Sequence, residues 1–287
     1  MNTGTAQPQA ITDELRRWIV SQAEAGCTPD AVLAAMRASG WAEDVAVEAL
    51  ESTLTKRLEE LGLPVPTAPV AVPEPDLAEL KPMVWAHDRE VQVLTVLKLP
   101  RVVVFGALLS AQECEELMDA ARRRLQRSET VDNSTGGSEI NASRTSDGMF
   151  FERGESPLIA RIEQRIEALV NWPVDHGEGL QVLRYRPGAE YKPHHDYFDP
   201  AQPGTATVLS RGGQRVATLV MYLNTPERGG STVFPDAGLD VAPVQGNAVF
   251  FSYDRAHPAS KTLHGGAPVV AGEKWVATKW LREGVFR

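Results

Sequence analysis

Residues 181–198, QVLRYRPGAEYKPHHDYF, place a histidine and an aspartate directly after a predicted strand. The run QVLRYR is apolar and aromatic enough for a strand, and a Pro-Gly turn follows it. His194 and Asp196 are two residues apart, so their side chains point to the same side of an extended chain. The stretch therefore predicts that one nitrogen and one carboxylate oxygen converge beside a sheet.

A third ligand from a distant strand would complete a metal site, and His264 in KTLHGG is the candidate. Two histidines and one carboxylate leave three coordination positions open on non-haem iron(II). A zinc hydrolase can use the same ligand types, and a His-x-Asp pair alone also arises by chance. His195 alternates to the opposite face, where we expect a packing or supporting role. His87, His176 and His257 are expected on the surface or in loops.

Lys274 begins the predicted strand KWVATKWLR, ten residues after His264. Alternation places five side chains on one face of this strand: Lys274, Val276, Thr278, Trp280 and Arg282. A buried ammonium without an anionic partner is costly. If this face points inward, Lys274 predicts an anionic ligand such as the distal carboxylate of 2-oxoglutarate. A zinc hydrolase would not explain a lysine at this position. The alternative is a solvated face with an ordinary surface lysine.

The order of predicted elements indicates the fold class. Ser110 and Glu113 have the form of a capping box before one helix, and Ser156-Pro157 opens another. Nearly everything after Leu180 resembles short strands separated by Gly- and Pro-containing turns. We therefore predict an α+β protein in which helices flank a double-stranded β-helix, or jelly roll.

The first 83 residues are predicted to be separate from this domain. Residues 1–62 have the apolar spacing of short helices, with Thr28-Pro29 as an N-cap and first-turn proline, and form a small all-α module. Residues 63–83 carry six prolines and are predicted to be a semi-rigid linker. Residues 84–287 form the jelly-roll domain.

Composition excludes several classes of partner. The chain has 287 residues, 43% of them hydrophobic, and a formal net charge of -9. This acidic balance argues against nucleic acid and anionic lipid as partners. There is no predicted leader and no apolar run of the length a membrane span needs. Since only two cysteines occur, we expect no disulfide framework and a cytoplasmic location.

From about Pro100 to Arg282 the chain resembles the prolyl 4-hydroxylase family of 2-oxoglutarate dioxygenases, in its collagen-type branch. The resemblance is carried by six motifs in order: PRVVVFGALLSAQEC, TGGSEINASRTSDGMF, LRYRPGAEYKPHHDYF, RVATLVMYLN, ERGGSTVFP and LHGGAPVVAGEKWVATKW. An ordered series over this length is far more specific than any single motif.

The resemblance assigns roles to particular residues. It implies iron ligands at His194, Asp196 and His264, a salt bridge from Lys274 to 2-oxoglutarate, and hydrogen bonds to this oxoacid from Tyr185 and Thr218. It places four residues on the peptide-binding side: Arg144, Ser146, Tyr191 and Trp280. Their alternatives are loop stabilisation for the first two and core packing for the last two.

Two further features bear on substrate binding. The Gly-rich residues 132–143 resemble the family's mobile lid, and Arg282 stands where some relatives have histidine. That departure weakens any transfer of detailed substrate preference.

The resemblance also implies the reaction and its cofactors. Iron(II), 2-oxoglutarate and dioxygen would hydroxylate a proline in a peptide or protein, releasing succinate and carbon dioxide, with ascorbate as a reductant. The same chemistry on a free amino acid or another small molecule is an alternative. A second alternative is a binding protein whose helical module is the main function, and the acidic balance disfavours a nucleic-acid demethylase.

The amino-terminal module has a resemblance of its own. TPDAVLAAMRASGWAEDVAVEAL, residues 28–50, is similar to ubiquitin-associated domains and to a related module of a bacterial elongation factor. This similarity suggests a translation factor as a partner. Trp41 would either be presented to that partner or close the core of the module.

Overall fold

The chain forms two compact units, Met1–Thr67 and Ala68–Arg287. The computed structural model describes residues 10–61, 70–77, 81–128, 130–131, 135–139 and 143–287. The division lies inside the stretch predicted as a linker, residues 63–83. The first part of that stretch, up to residue 69, lies outside the described residues.

Residues 10–61 of the first unit contain three helices, as the apolar spacing predicts: α1 (Asp13–Glu24), α2 (Pro29–Ala38) and α3 (Glu43–Glu60). Thr28 caps α2 by accepting a hydrogen bond from the backbone of Ala31. Ile19, Met36 and Ala49 lie at the centre of a small core. Trp41 is half-buried and packs on this core, which favours the core-closing interpretation of this residue.

The described residues of the predicted linker are not free of the second unit. The Val70 N–H donates to Asp254 O at 2.8 Å, and the Glu74 N–H donates to Val170 O at 2.9 Å. The carboxylate of Glu74 also pairs with Arg101. The predicted linker therefore differs from the structure over residues 70–77, which run along the second unit and hydrogen-bond to it.

In its described residues, the second unit consists of short strands with three α-helices. Its elements in chain order are β1 (Met83–Ala86), β2 (Arg89–Leu97), β3 (Arg101–Gly106), α4 (Ala111–Arg122), β4 (Gln126–Arg127), β5 (Thr130–Val131), β6 (Ser138–Glu139), β7 (Asp147–Phe151), α5 (Pro157–Val170), β8 (Leu180–Tyr185), β9 (Tyr191–His194), α6 (Thr205–Leu209), β10 (Arg215–Tyr222), β11 (Arg228–Gly229), β12 (Thr232–Phe234), β13 (Leu239–Val241), β14 (Ala248–Ser252), β15 (His264–Gly266), β16 (Val269–Ala271) and β17 (Lys274–Arg282).

Two antiparallel sheets form the predicted jelly roll. In the described residues the major sheet has nine strands in the order β1-β2-β3-β14-β10-β17-β8-β7-β4, and the minor sheet has the order β13-β12-β15-β9. Strands β8, β9, β10 and β12 lie alternately in the major and the minor sheet, while the short β11 pairs with β16 in a separate two-stranded sheet. This alternation is how a jelly roll winds. The fold prediction is confirmed. The extension of the major sheet by β1–β3 and the short helix α6 were not predicted as elements.

Helices α4 and α5 cover the outer face of the major sheet. Ser110 forms the predicted capping box with Glu113, and Ser156 caps α5. Apolar side chains of both helices, including Leu117 and Ile162, pack with sheet residues such as Phe250 in the larger core. The opposite face of this sheet, toward β9, β12 and β15, is left for the site described below.

Two sequence predictions concern membrane-spanning helices and disulfide bonds. Among the described residues, no helix is both long enough and apolar enough to span a bilayer. Both cysteines are free: Cys114 is buried in α4, while Cys27 is exposed between α1 and α2.

Candidate active site

Three predicted metal ligands meet between the two sheets. His194 ends β9 and His264 begins β15, and the two residues are direct partners in the antiparallel pairing of these strands. Asp196 follows β9 and lies 3.4 Å from each histidine, measured from its carboxylate oxygens to the two Nε2 atoms. One ligand atom from each residue lies within 4.8 Å of the others. The structure thus brings together the two histidines and the carboxylate that the sequence selected.

Backbone hydrogen bonds orient both histidine rings for a metal ion. His194 Nδ1 lies 2.9 Å from Lys192 O, and His264 Nδ1 lies 3.0 Å from Thr262 O. A carbonyl only accepts, so each Nδ1 carries the proton and each Nε2 keeps a lone pair toward the centre. Burial also lowers the pKa of His264 to about 4, which keeps its ring neutral near pH 7. These residues fit iron(II), which prefers two imidazoles and one carboxylate on one face.

The third ligand, Asp196, is held by a buried hydrogen-bond chain. Thr218 Oγ1 donates to Asp196 Oδ2 at 2.7 Å, and the Tyr253 hydroxyl lies 3.1 Å from the same Oγ1. A carboxylate only accepts, so the Thr218 proton is directed to Asp196, and Tyr253 donates to Thr218. The hydrogen bond from Thr218 fixes the orientation of the carboxylate, and both of its oxygens keep a lone pair that could reach a metal ion. The prediction that Thr218 hydrogen-bonds the oxoacid stays a prediction, since the hydroxyl donates its proton to Asp196 in this structure.

We expect Thr218→Val to weaken metal binding roughly 10- to 100-fold, as loss of a partner that orients a ligand typically does. The substitution keeps the side-chain volume but leaves Asp196 Oδ2 without its donor. Thr218→Ser keeps the hydroxyl and should bind metal nearly as the unaltered chain does. Calorimetric titration with Mn(II) in the absence of 2-oxoglutarate measures the effect. Unchanged Mn(II) affinity with weakened 2-oxoglutarate binding would instead support the contact predicted from the family resemblance.

Lys274 is buried with no carboxylate at ion-pair distance among the described residues. It is 4% exposed, begins β17 and is the direct strand partner of Tyr185 on β8. Its Nζ lies 5.6 Å from the ring centre of Tyr185 and 5.7 Å from that of Tyr222. Burial lowers its pKa to about 8. An isolated buried ammonium points to an anionic ligand, which fits the distal carboxylate of 2-oxoglutarate and removes the surface-lysine alternative.

A small cavity connects Lys274 with the metal ligands. It is lined by Tyr185, Thr218 and three of the alternating β17 residues, Val276, Thr278 and Trp280, in addition to Lys274 itself. The predicted inward face of β17 is therefore the cavity wall. Tyr185 is 6% exposed and reaches the cavity, as its predicted role in holding the oxoacid requires.

The pKa of Lys274 predicts how oxoacid binding depends on pH. Below about pH 8 the ammonium is charged, and we expect constant affinity for 2-oxoglutarate. Above that value the free protein loses the charge that would pair with the carboxylate, so affinity should fall as pH rises. Calorimetric titration of the Mn(II)-loaded protein on both sides of pH 8 tests this, with Lys274→Met as the variant that lacks the inflection. A flat profile in the unaltered chain would contradict it.

The predicted substrate-side residues divide into two groups. Tyr191 stacks on His194 with ring centres 3.7 Å apart, and the Arg144 guanidinium lies 4.9 Å from the centre of the Tyr191 ring. Trp280 is buried, and its Nε1 has no hydrogen-bond partner. These three line a large groove beside the metal ligands. Ser146 does not line it: it is 0% exposed and its Oγ bonds Ser128 Oγ at 2.9 Å, which favours loop stabilisation over substrate contact.

Sequence reasoning missed a buried charge cluster at one end of this groove. Arg215 donates to both carboxylate oxygens of Glu178, at 2.6 and 2.9 Å, and Arg282 Nε donates to the same carboxylate at 2.7 Å. The Arg215 guanidinium lies 4.0 Å from the centre of the Trp280 ring. Arg215 is the first residue of the strand motif RVATLVMYLN. A charged residue at the start of an apolar strand was the sequence feature that could have identified this cluster. Arg282, noted as a departure from some relatives, is an integral member of this cluster.

The remaining predicted positions are His195 and the Gly-rich lid. His195 stacks on Tyr197 with ring centres 4.6 Å apart and is not a ligand, in line with its alternation. Residues 132–134 and 140–142 of the predicted lid lie outside the described residues.

Comparison with known proteins identifies the family. The model of the 2OG-Fe(II) oxygenase superfamily matches residues 180–282, the stretch that carries all three metal ligands and Lys274. Prolyl 4-hydroxylase 1 of Arabidopsis thaliana is 41% identical over 224 residues, which cover 69% of this chain and 77% of that protein. The chain belongs to the prolyl 4-hydroxylase family. It is therefore a 2-oxoglutarate-dependent dioxygenase that uses iron(II).

Two further proteins are similar to this chain. Prolyl 4-hydroxylase 2 of Arabidopsis thaliana is 38% identical, over 68% of this chain and 71% of that protein. A viral collagen prolyl hydroxylase from Paramecium bursaria Chlorella virus-1, solved with 2-oxoglutarate, is 31% identical over 63% of this chain and 95% of its own, with a TM-score of 0.49.

Proposed function

We propose that this chain hydroxylates C4 of proline residues in a peptide or protein, with 2-oxoglutarate consumed and succinate and carbon dioxide released. Bound iron(II) and 2-oxoglutarate supply the oxidising chemistry for such a reaction. The residues of the chain hold and orient the metal and the oxoacid. His194, Asp196 and His264 hold the metal, while Lys274 and Tyr185 hold the distal end of the oxoacid.

The size of the groove supports a peptide over a small molecule. It has a volume of about 1090 Å³ and runs past His194 and Asp196 to Trp280. Enclosed sites for small ligands typically occupy about 300–1,000 Å³ and surround most of the ligand. A groove at the upper limit of that range, open along one side, suits an extended chain with one proline beside the metal.

Two groove residues are suited to orient such a chain. The unpartnered Trp280 N–H can donate to a backbone carbonyl of the substrate, which would satisfy a buried donor. The ring of Tyr191, stacked on His194, offers an apolar surface to a pyrrolidine ring next to the metal. Both contacts would fix which carbon faces the metal ligands.

Two alternatives make different predictions. A free amino acid or another small molecule as substrate would leave most of the groove empty. A binding protein built on a degenerate jelly roll has no need for an intact metal and oxoacid site, yet the ligand triad, its orienting hydrogen bonds and the buried Lys274 are all in place.

A substrate panel separates these alternatives. The protein is incubated with iron(II), 2-oxoglutarate and oxygen together with a proline-containing peptide library, host lysate, or free proline. Mass spectrometry reports hydroxylated products and succinate. We expect hydroxyproline in peptides and little product from free proline. Efficient turnover of free proline without peptide products would overturn the peptide assignment, and no succinate with any substrate would favour the binding protein.

We further propose that the amino-terminal module recruits a protein substrate, with a translation factor as the candidate suggested by the resemblance of residues 28–50. A tethered docking unit raises the local concentration of its partner, to the order of mM for a short flexible linker. It does so without changing the chemistry at the metal.

Removal of residues 1–67 should leave turnover of short peptides almost unchanged and weaken turnover of an intact protein substrate. The cut is placed there because residues 70–77 hydrogen-bond to the second unit and belong to its fold. The module variant Trp41→Ala provides a second comparison. Equal losses on peptide and protein substrates, with a lowered melting temperature, would end the recruitment hypothesis.

Ascorbate as an auxiliary reductant and a cytoplasmic location complete the proposal. The unpaired thiols Cys27 and Cys114 are consistent with a reducing compartment. Turnover measured with and without ascorbate tests the first point, and fractionation of the host tests the second.

A further inference from the structure

The large groove carries a charge opposite to that of the whole chain. The chain has 38 Asp and Glu against 29 Lys and Arg. Among the described residues that line the groove, seven are cationic and four are acidic, one of the four being the metal ligand Asp196. The cations are Arg124, Arg127, Arg144, Lys192, Arg211 and the Arg215–Arg282 pair. A cationic groove in an acidic protein indicates a site that selects for negative charge.

Two of these cations, Arg127 and Lys192, have no carboxylate at ion-pair distance among the described residues, while a third, Arg211, contacts an oxygen of the carboxyl group of the last residue. Arg127 donates to the backbone carbonyls of Arg144 and Ser146, at 2.9 and 3.4 Å. Arg211 donates to Arg287 O at 3.3 Å and lies over the ring of Phe286. Lys192 is exposed on β9, two residues before the first metal ligand. By contrast, Arg124 is paired with Glu155 and contributes little net charge.

The buried end of the groove holds a further surplus charge. Arg215 and Arg282 share the single carboxylate of Glu178, so the three side chains together carry one excess positive charge. Glu178 and Arg282 are 6% and 2% exposed. The other carboxylate that acts on Arg215 is Asp196, a metal ligand. An anionic group entering the groove beside Trp280 would further compensate this buried positive charge.

We propose that the groove binds an acidic segment, so that the preferred substrate proline is flanked by Asp or Glu residues. The inference rests on the proposed function and adds the chemical class of the peptide. Carboxylates flanking the proline would pair with Arg127 and Lys192, the two groove cations that have no carboxylate partner among the described residues. The negative charge of the chain as a whole then disfavours non-specific binding of such a peptide elsewhere on the surface.

Binding of three labelled peptides tests the proposal independently of turnover. The peptides have equal length and one central proline, which is flanked by Glu, Gln or Lys. Fluorescence anisotropy measures their binding to the full chain loaded with Mn(II) and 2-oxoglutarate, without iron. We expect the Glu peptide to bind roughly tenfold more tightly than the Gln peptide and the Lys peptide to bind most weakly. The preference should shrink when the ionic strength is raised from about 0.05 M to about 0.5 M.

Matched variants assign the effect to the groove. Arg127→Gln and Lys192→Gln should each weaken binding of the Glu peptide about threefold and leave the Gln peptide nearly unchanged. The control is Arg123→Gln, which removes an exposed arginine outside the groove. Equal affinity for the Glu and Gln peptides, or equal losses in all three variants, would overturn the proposal.

Turnover separates this inference from the proposed function. If the Glu peptide binds with the expected preference but no proline peptide is hydroxylated, the preference for acidic peptides stands and the proposed reaction fails. If the Gln peptide is hydroxylated as efficiently as the Glu peptide and binds as tightly, the reaction stands and the preference for acidic peptides fails.

Discussion

We expect alanine in place of His194, Asp196 or His264 to abolish iron-dependent succinate formation and to lower metal affinity by roughly two orders of magnitude or more. Each substitution removes one of three protein ligands, and the loss of a ligand disturbs both the affinity and the open face of the site. The structure supports equal importance for all three, because their ligand atoms lie within 4.8 Å of one another and each side chain is held by a hydrogen bond. Succinate assays and Mn(II) titration measure the two effects.

His195→Ala is the matched control for these variants. His195 is adjacent to the first ligand in sequence but stacks on Tyr197, away from the triad. It should keep Mn(II) affinity close to that of the unaltered chain. Near-normal metal affinity and turnover in any two of the ligand variants would contradict the assignment of the site.

We expect Lys274→Met to raise the 2-oxoglutarate concentration needed for turnover by about two to three orders of magnitude while Mn(II) binding is largely kept. Removing one partner of a buried charged pair typically costs ~3–5 kcal/mol. The methionine fills similar space, so the cavity keeps its shape but loses the charge that faces the distal carboxylate. Lys274→Arg should also be impaired, since the planar guanidinium is larger than the ammonium. The apparent affinity for 2-oxoglutarate is measured by succinate formation and by calorimetry.

The same strand offers a matched control for the lysine. Lys279 is as buried as Lys274 but faces the other side of β17, where its Nζ pairs with Glu163 at 2.6 Å. Lys279→Met should lower the melting temperature, because Glu163 is left unpaired in the core. The folded protein should keep its 2-oxoglutarate affinity. Unchanged affinity in Lys274→Met would place the oxoacid elsewhere.

The parts of the site that could be predicted from sequence lie on regular strands. Alternation along β17 placed Lys274 and Trp280 on one face, which lines the cavity, and the two-residue spacing of His194 and Asp196 gave two ligands that do converge. His264 was selected from the motif KTLHGG, and the direct pairing of β15 with β9 brings it to the other two ligands. The family resemblance supplied the order of motifs and agreed with this local reasoning.

The parts that were missed depend on contacts between distant elements. The hydrogen bonds that link Tyr253, Thr218 and Asp196 join three segments that are far apart in sequence, so no local sequence pattern predicts them. The same holds for Glu178, which lies between Arg215 and Arg282. A further miss was the packing of residues 70–77 on the second unit, because proline content indicates an extended chain but not what that chain contacts.

The central claim is tested most directly by the source of oxygen in the product. A proline peptide that the protein accepts is incubated with iron(II), 2-oxoglutarate and isotopically labelled dioxygen, and the peptide and succinate are analysed by mass spectrometry. We predict one labelled oxygen atom in hydroxyproline and one in succinate, in equal amounts, and neither with the Asp196→Ala variant. Succinate formed without any hydroxylated proline, or hydroxyproline carrying oxygen from water, would contradict the account.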